Sequence, residues 1–126
     1  MADEDPESVP LLFTCTHGAD EPERATVPFI AASTAAVSGQ QAIVVCTIEA
    51  VRIGTPGYAE TVTDDDLTPL ATLIQLLVGN GGEIWLCSSC TKKRDIGEDD
   101  LIEGARIVGA AKIVEALAEG KAISLT

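Results

Sequence analysis

The sequence predicts an α/β protein in which a parallel β-sheet carries helices on both of its faces. From residue 9 onward, short apolar runs of strand length alternate with segments of helical spacing in the order βαβαβαβαβ. The run "AIVVCTI" at 42–48 is apolar on both faces, as in strands of a sheet that is covered on both sides. Alternation of this kind predicts parallel strands joined by crossover helices.

The first part of the chain predicts two strands around one helix. "VPLLFTC" at 9–15 is the first strand and ends in the turn-like "THGADEPE". Asp20 is expected to cap the helix that follows, whose apolar residues keep helical spacing up to a stop at Gly39. Pro28 lies inside this helix and predicts a kink or a late start, because it has no backbone N–H to donate. Residues 42–48 are the second strand.

The connection at 49–69 is unusually long and contains two Gly, two Pro and the only Tyr of the chain. Connections of this length are often lids or binding loops, so residues 48–66 are a candidate for contact with a partner. The apolar stretch "LATLIQLLVGN" predicts a helix that starts at Asp66 or Thr68 and ends at Gly79 or at the "NGG" that follows.

The remaining strands are predicted in the last third of the chain. They are "EIWLC" at 83–87, "ARIVG" at 105–109 and "KAISL" at 121–125. A short helix with acidic caps is expected over 96–104, and an amphipathic helix over 110–120. An alternative is that residues 105–120 form one continuous helix.

Composition excludes several classes of function. Hydrophobic residues make up 46% of the 126 residues, which predicts one folded domain over 9–126 after a disordered acidic tail, residues 1–8. A net charge of −12 with only 8 Lys and Arg argues against nucleic-acid binding. No apolar run approaches the roughly 20 residues that span a bilayer, and the N-terminus lacks a secretory pattern. We therefore expect a cytoplasmic protein without membrane contact.

Three of the four cysteines stand at predicted strand ends. Cys15, Cys46 and Cys87 occupy these positions, and His17, the only histidine, follows two residues after Cys15. Ligands of open parallel sheets bind beyond the carboxyl ends of the strands, so these side chains are expected to line one edge. Thiols stay reduced in the cytosol, which makes a disulfide framework improbable. Burial is the simpler interpretation for Cys46, whereas Cys15 stays open between core and rim.

Cys87 and Cys90 form a CxxC pair that is followed directly by Lys92, Lys93 and Arg94. A thiol reacts as the thiolate, and a helix N-terminus or a neighbouring cation lowers its pKa. Both influences would act here if a helix begins directly after Cys87. The alternative is that the three cations form a solvated face that balances the acidic "GEDDLIEG".

The CxxC pair leaves several chemistries open: a sulfur-carrying nucleophile, a redox disulfide, a metal knuckle or a packed turn. A zinc site usually needs four ligands, so one CxxC is half a site that Cys15 and His17 would have to complete. Thioredoxin-like oxidoreductases carry CxxC after an early strand, commonly with Pro inside it, whereas this late pair encloses Ser-Ser. Dinucleotide and P-loop patterns are absent, and no cofactor is expected.

Two blocks of the sequence carry a family resemblance. They are "LLFTCTHGADEPERATVPF" with the segment that follows it, and "LVGNGGEIWLCSSCTKKRDIGEDDLIEGARIVG". The chain from Val9 to Leu125 resembles the DsrE/DsrF-like (YchN-like) family of small sulfur-relay proteins. The most specific parts are "HG" with "PERA" at the first helix, and the block "GGEIWLCSSCTKKR".

The resemblance implies a three-layer α/β/α fold with a five-stranded parallel sheet, assembled as a homotrimer or homohexamer. Sulfur-transfer members of the family carry a persulfide on a cysteine after the third strand, a few residues ahead of an Arg-Gly turn. Cys87 takes that position ahead of Arg94, and Cys90 matches the second cysteine of the CxxC-bearing branch. Asp95 replaces the usual Gly, but Asp tolerates a left-handed backbone, so the turn is expected to form.

We therefore expect a cytoplasmic sulfur-relay protein that accepts sulfane sulfur from a donor protein and passes it to an acceptor protein. The residues expected at the site are Cys87, Cys90 and Arg94 for the chemistry, and His17, Cys15, Lys92 and Lys93 at its rim. One alternative is a non-catalytic oligomeric module with structural or redox-sensing thiols. Another is a metal site built from Cys15, His17, Cys87 and Cys90.

Overall fold

Five parallel strands form the sheet of the computed structural model, which describes residues 9–125. Their order across the sheet is β4-β3-β2-β1-β5. The strands are β1 Leu11–Cys15, β2 Ala42–Cys46, β3 Glu83–Cys87, β4 Ala105–Val108 and β5 Lys121–Ile123. Each predicted strand is confirmed, β3 with the predicted bounds and the other four one or two residues shorter, and the α/β class is confirmed with them. The predicted tail, residues 1–8, lies outside the described residues.

Helices cover both faces of this sheet. They are α1 Pro22–Val37, α2 Leu70–Gly79, α3 Ser88–Lys93 and α4 Ala110–Glu119. Helices α1 and α2 pack against each other on one face. The connection from β4 to β5 returns to the opposite edge of the sheet, and a right-handed crossover therefore places α4 on the other face. Lys112 of α4 accordingly reaches Trp85 on β3, with its Nζ 5.6 Å from the ring centre.

Alternation of side chains along the strands divides the apolar residues between two clusters. Phe13, Val44 and Ile84 share one register row and belong to the main core under α1 and α2. Their chain neighbours Val45 and Trp85 point to the face of α4, where they are 2% and 5% exposed. Both faces of the sheet are thus covered, as the three-layer prediction requires.

The start of helix α1 differs from the prediction. The helix begins at Pro22, with Glu21 in the N-cap position and without a side-chain cap. The expectation that Asp20 caps this helix is wrong, because its carboxylate instead binds groups of the preceding loop. Pro28 neither delays nor interrupts the helix, which runs on to Val37.

Residues 48–66 contain two 3₁₀ segments and part of the core, where a loop was predicted. A 3₁₀ helix spans Ile48–Gly54, and its Val51 and Ile53 are fully buried in the main core. A second 3₁₀ turn spans Ala59–Thr61. Helix α2 starts at Leu70 instead of at Asp66 or Thr68, because Pro69 disfavours a helical backbone at the residue before it.

The segment that follows the CxxC block contains less helix than predicted. Only one 3₁₀ turn, Glu98–Asp100, forms between 96 and 104. The alternative of a continuous helix over 105–120 is wrong, because Gly109 is extended between β4 and α4, with φ −82° and ψ 167°. Asp95 has φ +57°, so the left-handed turn expected there does form. In residues 9–125, none of the helices has the length and apolar character needed to cross a bilayer.

Candidate functional site

Cys15 and Cys46 face the main core at the ends of neighbouring strands. They are register partners of β1 and β2, and both are fully buried. The Cys15 thiol donates to the carbonyl of His17, at 3.5 Å, and to that of Ala25, at 3.6 Å. A hydrogen bond with Cys15, and then burial, raise the pKa of the Cys46 thiol well above its usual range. The core interpretation of Cys46 is confirmed, and the expected position of Cys15 at the rim is wrong.

Cys87 does not line up with these two thiols. The register partner of Cys46 on β3 is Leu86, and Cys87 pairs with Val108 of β4. Because side chains alternate along a strand, Cys87 leaves the sheet on the face opposite to Leu86 and Cys46. Strand-end position alone therefore overstated the convergence: Cys15 and Cys46 are sealed in the core, and Cys87 leaves the other face of the sheet.

Helix α3 starts directly after Cys87, which meets the condition that the sequence analysis left open. Cys87 is the N-cap residue, and no side chain caps this helix end. Cys90 lies in the first turn and packs partly against the main core. Both thiols are free and partly exposed.

The three cations lie at the far end of α3, away from Cys87. Lys92 and Lys93 are exposed in its last turn. Arg94 follows the helix and donates through Nε to Oε1 of Glu49, at 3.2 Å, and through Nη1 to the carbonyl of Cys90, also at 3.2 Å. Its guanidinium thus ties α3 to the segment after β2.

Glu49 is a residue that sequence reasoning missed. Its second carboxylate oxygen accepts from Nε of Arg52 at 2.8 Å, so one carboxylate joins two guanidinium groups. Glu49 and Arg52 are three residues apart, so the sequence spacing could have indicated this pair. The Arg94 pair spans 45 residues and has no local signal.

His17 lies in a tightly bonded loop after β1. Its Nδ1 is 3.0 Å from Oδ2 of Asp20, while Oδ1 of Asp20 accepts from the backbone N–H of Gly18 at 2.7 Å. The hydrogen bond from His17, followed by that from Gly18, lowers the pKa of the Asp20 carboxyl. The Tyr58 hydroxyl accepts from the N–H of Ala19 at 2.8 Å. Sequence reasoning placed His17 at the rim but missed Asp20 and Tyr58 as its supports.

These positions bear on the metal-site alternative. Across residues 9–125, no three Cys, His, Asp or Glu side chains lie close enough together to hold a metal ion. The proposed set of Cys15, His17, Cys87 and Cys90 is split, because Cys15 is closed in the core and Cys87 leaves the other face of the sheet. The metal-site alternative is therefore not supported.

Two clefts run along helix α2, with volumes of about 370 and 450 Å³. The first lies between α2, the segment after β2 and the residues before β4, and its apolar lining includes Ile53, Ile74, Val78 and Ile102. Neither cleft is lined by a cysteine or by His17. They are thus separate from the thiol site.

The protein is thus a small α/β protein with a five-stranded parallel sheet and two partly exposed free thiols at the end of its third strand. The chain belongs to the DsrE/DsrF-like family, whose model matches residues 10–124. Among its relatives is the uncharacterized protein MK0008 of Methanopyrus kandleri, which is 28% identical over 85 residues, 68% of this chain and 67% of that protein.

Solved structures show the same fold. The crystal structure of the YchN protein from E. coli superposes with a TM-score of 0.76 over 93% of this chain and 99% of that one, at 15% identity. The protein of unknown function MTH1491 from Methanobacterium thermoautotrophicum gives a TM-score of 0.65 over the same shares, at 18% identity. At these identities the likeness establishes the architecture.

Proposed function

We propose that this protein is a cytoplasmic sulfur carrier that holds sulfane sulfur as a persulfide on Cys87. One observation carries the proposal: burial divides the four cysteines into a sealed pair, Cys15 and Cys46, and a partly exposed pair, Cys87 and Cys90. A carrier thiol has to meet the sulfur atoms of two partners in turn. Membership of the DsrE/DsrF-like family is consistent with this role.

The chemistry assigns different roles to the two exposed thiols. The Cys87 thiolate attacks the outer sulfur of a donor persulfide, so that a new S–S bond forms on Cys87 and the donor leaves as its thiolate. An acceptor thiolate then takes that outer sulfur and restores Cys87. Alternatively, Cys90 attacks the inner sulfur on Cys87, which closes a Cys87–Cys90 disulfide and releases hydrosulfide.

The charged residues around α3 support this chemistry from a distance. Lys92 and Lys93 form a positive patch on the surface of an otherwise acidic protein. Anionic sulfur donors and partner proteins would approach at this patch. Arg94 holds the end of α3 against Glu49 and so fixes the helix that carries Cys90. We propose that the donor and the acceptor are proteins and that the carrier is a homotrimer or homohexamer.

Mass spectrometry of the intact protein after exposure to inorganic polysulfide tests the carrier role. We expect a gain of one sulfur atom, mapped to Cys87 by peptide analysis. The Cys87→Ser variant should lose this gain entirely, whereas the matched Cys90→Ser variant should keep it and hold it longer, because resolution to the disulfide is blocked. Equal sulfur loading of the Cys87→Ser variant and the wild type would refute the proposal.

A second candidate is a non-catalytic assembly module. It is favoured by helix α4, in which no residue is buried and Val114 is 64% exposed. An apolar helix surface of this kind is typical of a subunit interface. This candidate predicts stable assembly without any sulfur gain on Cys87, so the same mass measurement separates the two.

A further inference from the structure

The first of the two clefts along helix α2, which we call the α2 cleft, has a volume of about 370 Å³ and a largely apolar lining. Ile53 and Ile74 line it and also belong to the main core, where they are 0% and 7% exposed. Protein clefts of this size bind small molecules when an apolar surface is combined with a few polar groups that orient the ligand. The α2 cleft therefore has the apolar part of such a site.

The walls of the α2 cleft are held in place by close contacts of the chain. The N–H of Ile102 donates to the carbonyl of Gly54 at 2.8 Å, which joins the segment before β4 to the first 3₁₀ helix. On the side of α2, a Cβ on Gly104 would lie 2.5 Å from a methyl carbon of Val78, so the close approach of these two segments requires glycine there. The cleft is thus preformed, as small-molecule sites usually are.

Gly79 lines the α2 cleft at the C-terminal end of helix α2, and neither its backbone nor its packing explains a glycine there. Its backbone is helical, without the positive φ that favours glycine. A Cβ at this position would meet no neighbouring group within 4 Å. Glycine destabilises a helix relative to alanine, so a side chain would be tolerated and even favoured. What glycine provides instead is open space at this end of the cleft.

Two carboxylates give the α2 cleft a negative rim. Glu60 belongs to the second 3₁₀ turn and Glu103 precedes β4, so the two acids come from different walls of one cleft. Across the part of the chain that the structure describes, no hydrogen bond or ion pair engages either carboxylate. None of the described lining residues is a cation. The charges at this cleft therefore favour a positively charged ligand.

We propose that the α2 cleft binds a small amphipathic amine, whose apolar body covers Ile53 and Ile74 and whose ammonium group faces Glu60 and Glu103. An inorganic cation would leave the apolar lining uncovered, and a neutral ligand would leave both carboxylates without a partner. Burial of the apolar body supplies affinity, while the exposed carboxylates select the charge. No cysteine is among the described lining residues, so this site is separate from the proposed sulfur carriage.

Isothermal titration calorimetry with phenylbutylamine and with phenylbutanol tests the proposal. The two probes share their apolar body and differ in the charged group. We expect the wild type to bind the amine about tenfold more tightly than the alcohol, because each exposed carboxylate contributes about threefold. Glu60→Gln and Glu103→Gln should each lower this preference about threefold, and the double variant should bind both probes alike.

Matched controls separate this site from a general attraction of cations to an acidic protein. Glu115→Gln removes an exposed charge from α4, outside the cleft, and should keep the preference for the amine. Gly79→Leu fills the cleft and should abolish binding of both probes. Gly97→Leu should bind them as the wild type does, because a Cβ on Gly97 also has free space but lies outside the cleft.

Three results would overturn the inference. They are absence of binding to the wild type, unchanged binding to Gly79→Leu, and a preference for the amine that falls as much in Glu115→Gln as in Glu60→Gln. Thermal unfolding shows whether Gly79→Leu is folded. If it is not, the double variant of Glu60 and Glu103 decides the question, and an amine preference that survives in it contradicts the proposed site.

Discussion

At the scale of single residues, Asp20 shows how a side chain suited to capping a helix can serve a loop instead. Its two carboxylate oxygens accept from Gly18 and from His17. Both bonds favour the ionised carboxyl and lower its pKa. The loop that presents His17 is therefore linked to the charge state of one acid.

The lowered pKa of Asp20 makes part of the stability dependent on pH. A group whose pKa is lower in the folded state stabilises the fold above its unfolded pKa and loses that contribution as pH falls through the folded pKa. The Asp20 side chain is half exposed, so we expect Asp20→Asn to lower the free energy of unfolding by about 0.5 kcal/mol at neutral pH.

Urea unfolding measures this contribution, and the difference between Asp20→Asn and wild type should shrink as the pH falls through the folded pKa of Asp20, because the carboxyl is then protonated in both states. The exposed Asp65→Asn is the control and should differ little from wild type at neutral or acid pH. A deficit of Asp20→Asn that persists unchanged in acid would contradict the linkage.

At the scale of elements, the 3₁₀ helix after β2 combines backbone strain with a buried interior. Ile48, its first residue, has φ +57°, a backbone that β-branched residues rarely adopt, and is 54% exposed. Val51 and Ile53 of the same element are fully buried. Burial of these side chains offsets the strain at Ile48 and keeps Glu49 beside Arg94.

Relief of that strain should stabilise the protein. Glycine adopts positive φ without the cost of about 1–2 kcal/mol that other residues pay, although it also makes the unfolded chain more flexible. We expect Ile48→Gly to raise the free energy of unfolding by about 0.5 kcal/mol in urea titrations. Val37→Gly is the control, since Val37 is equally exposed but helical, and it should lower stability. If Ile48→Gly lowers the free energy of unfolding as much as Val37→Gly does, the backbone at Ile48 is not strained.

At the scale of the whole molecule, the two faces of the sheet are covered unequally. Helices α1 and α2 pack against each other over the main core, while α4 lies over Val45 and Trp85 and buries none of its own residues. Its exposed apolar positions are Ala110, Ala111, Val114 and Ala118. We therefore expect subunits to associate through α4.

A charge on α4 should weaken that association. Light scattering coupled to size exclusion should give a trimer or hexamer for the wild type and smaller species for Val114→Glu, because a carboxylate is costly to bury without a partner. Val37→Glu carries the same change at a similarly exposed valine of α1 and should keep the wild-type mass. A monomeric wild type, or dissociation by Val37→Glu alone, would exclude α4 as the interface.

Local periodicity and spacing were sufficient for much of this protein. The strand runs depend on neighbouring residues, and these predictions were confirmed. The left-handed turn at Asp95 was expected from the family resemblance, and it also forms. The predicted starts of α1 and α2 were less accurate. Asp20 bonds within the preceding loop instead of capping α1, and Pro69 delays the start of α2.

Only the tertiary structure decided which groups meet at the site. The register of three strands placed Cys15 and Cys46 in the core and turned Cys87 to the other face, since a shift of one residue reverses a strand side chain. The partners of Arg94 and of the His17 loop come from residues 45 and 39 positions away. Such contacts depend on how the chain is brought together in space, and no local pattern in the sequence encodes them.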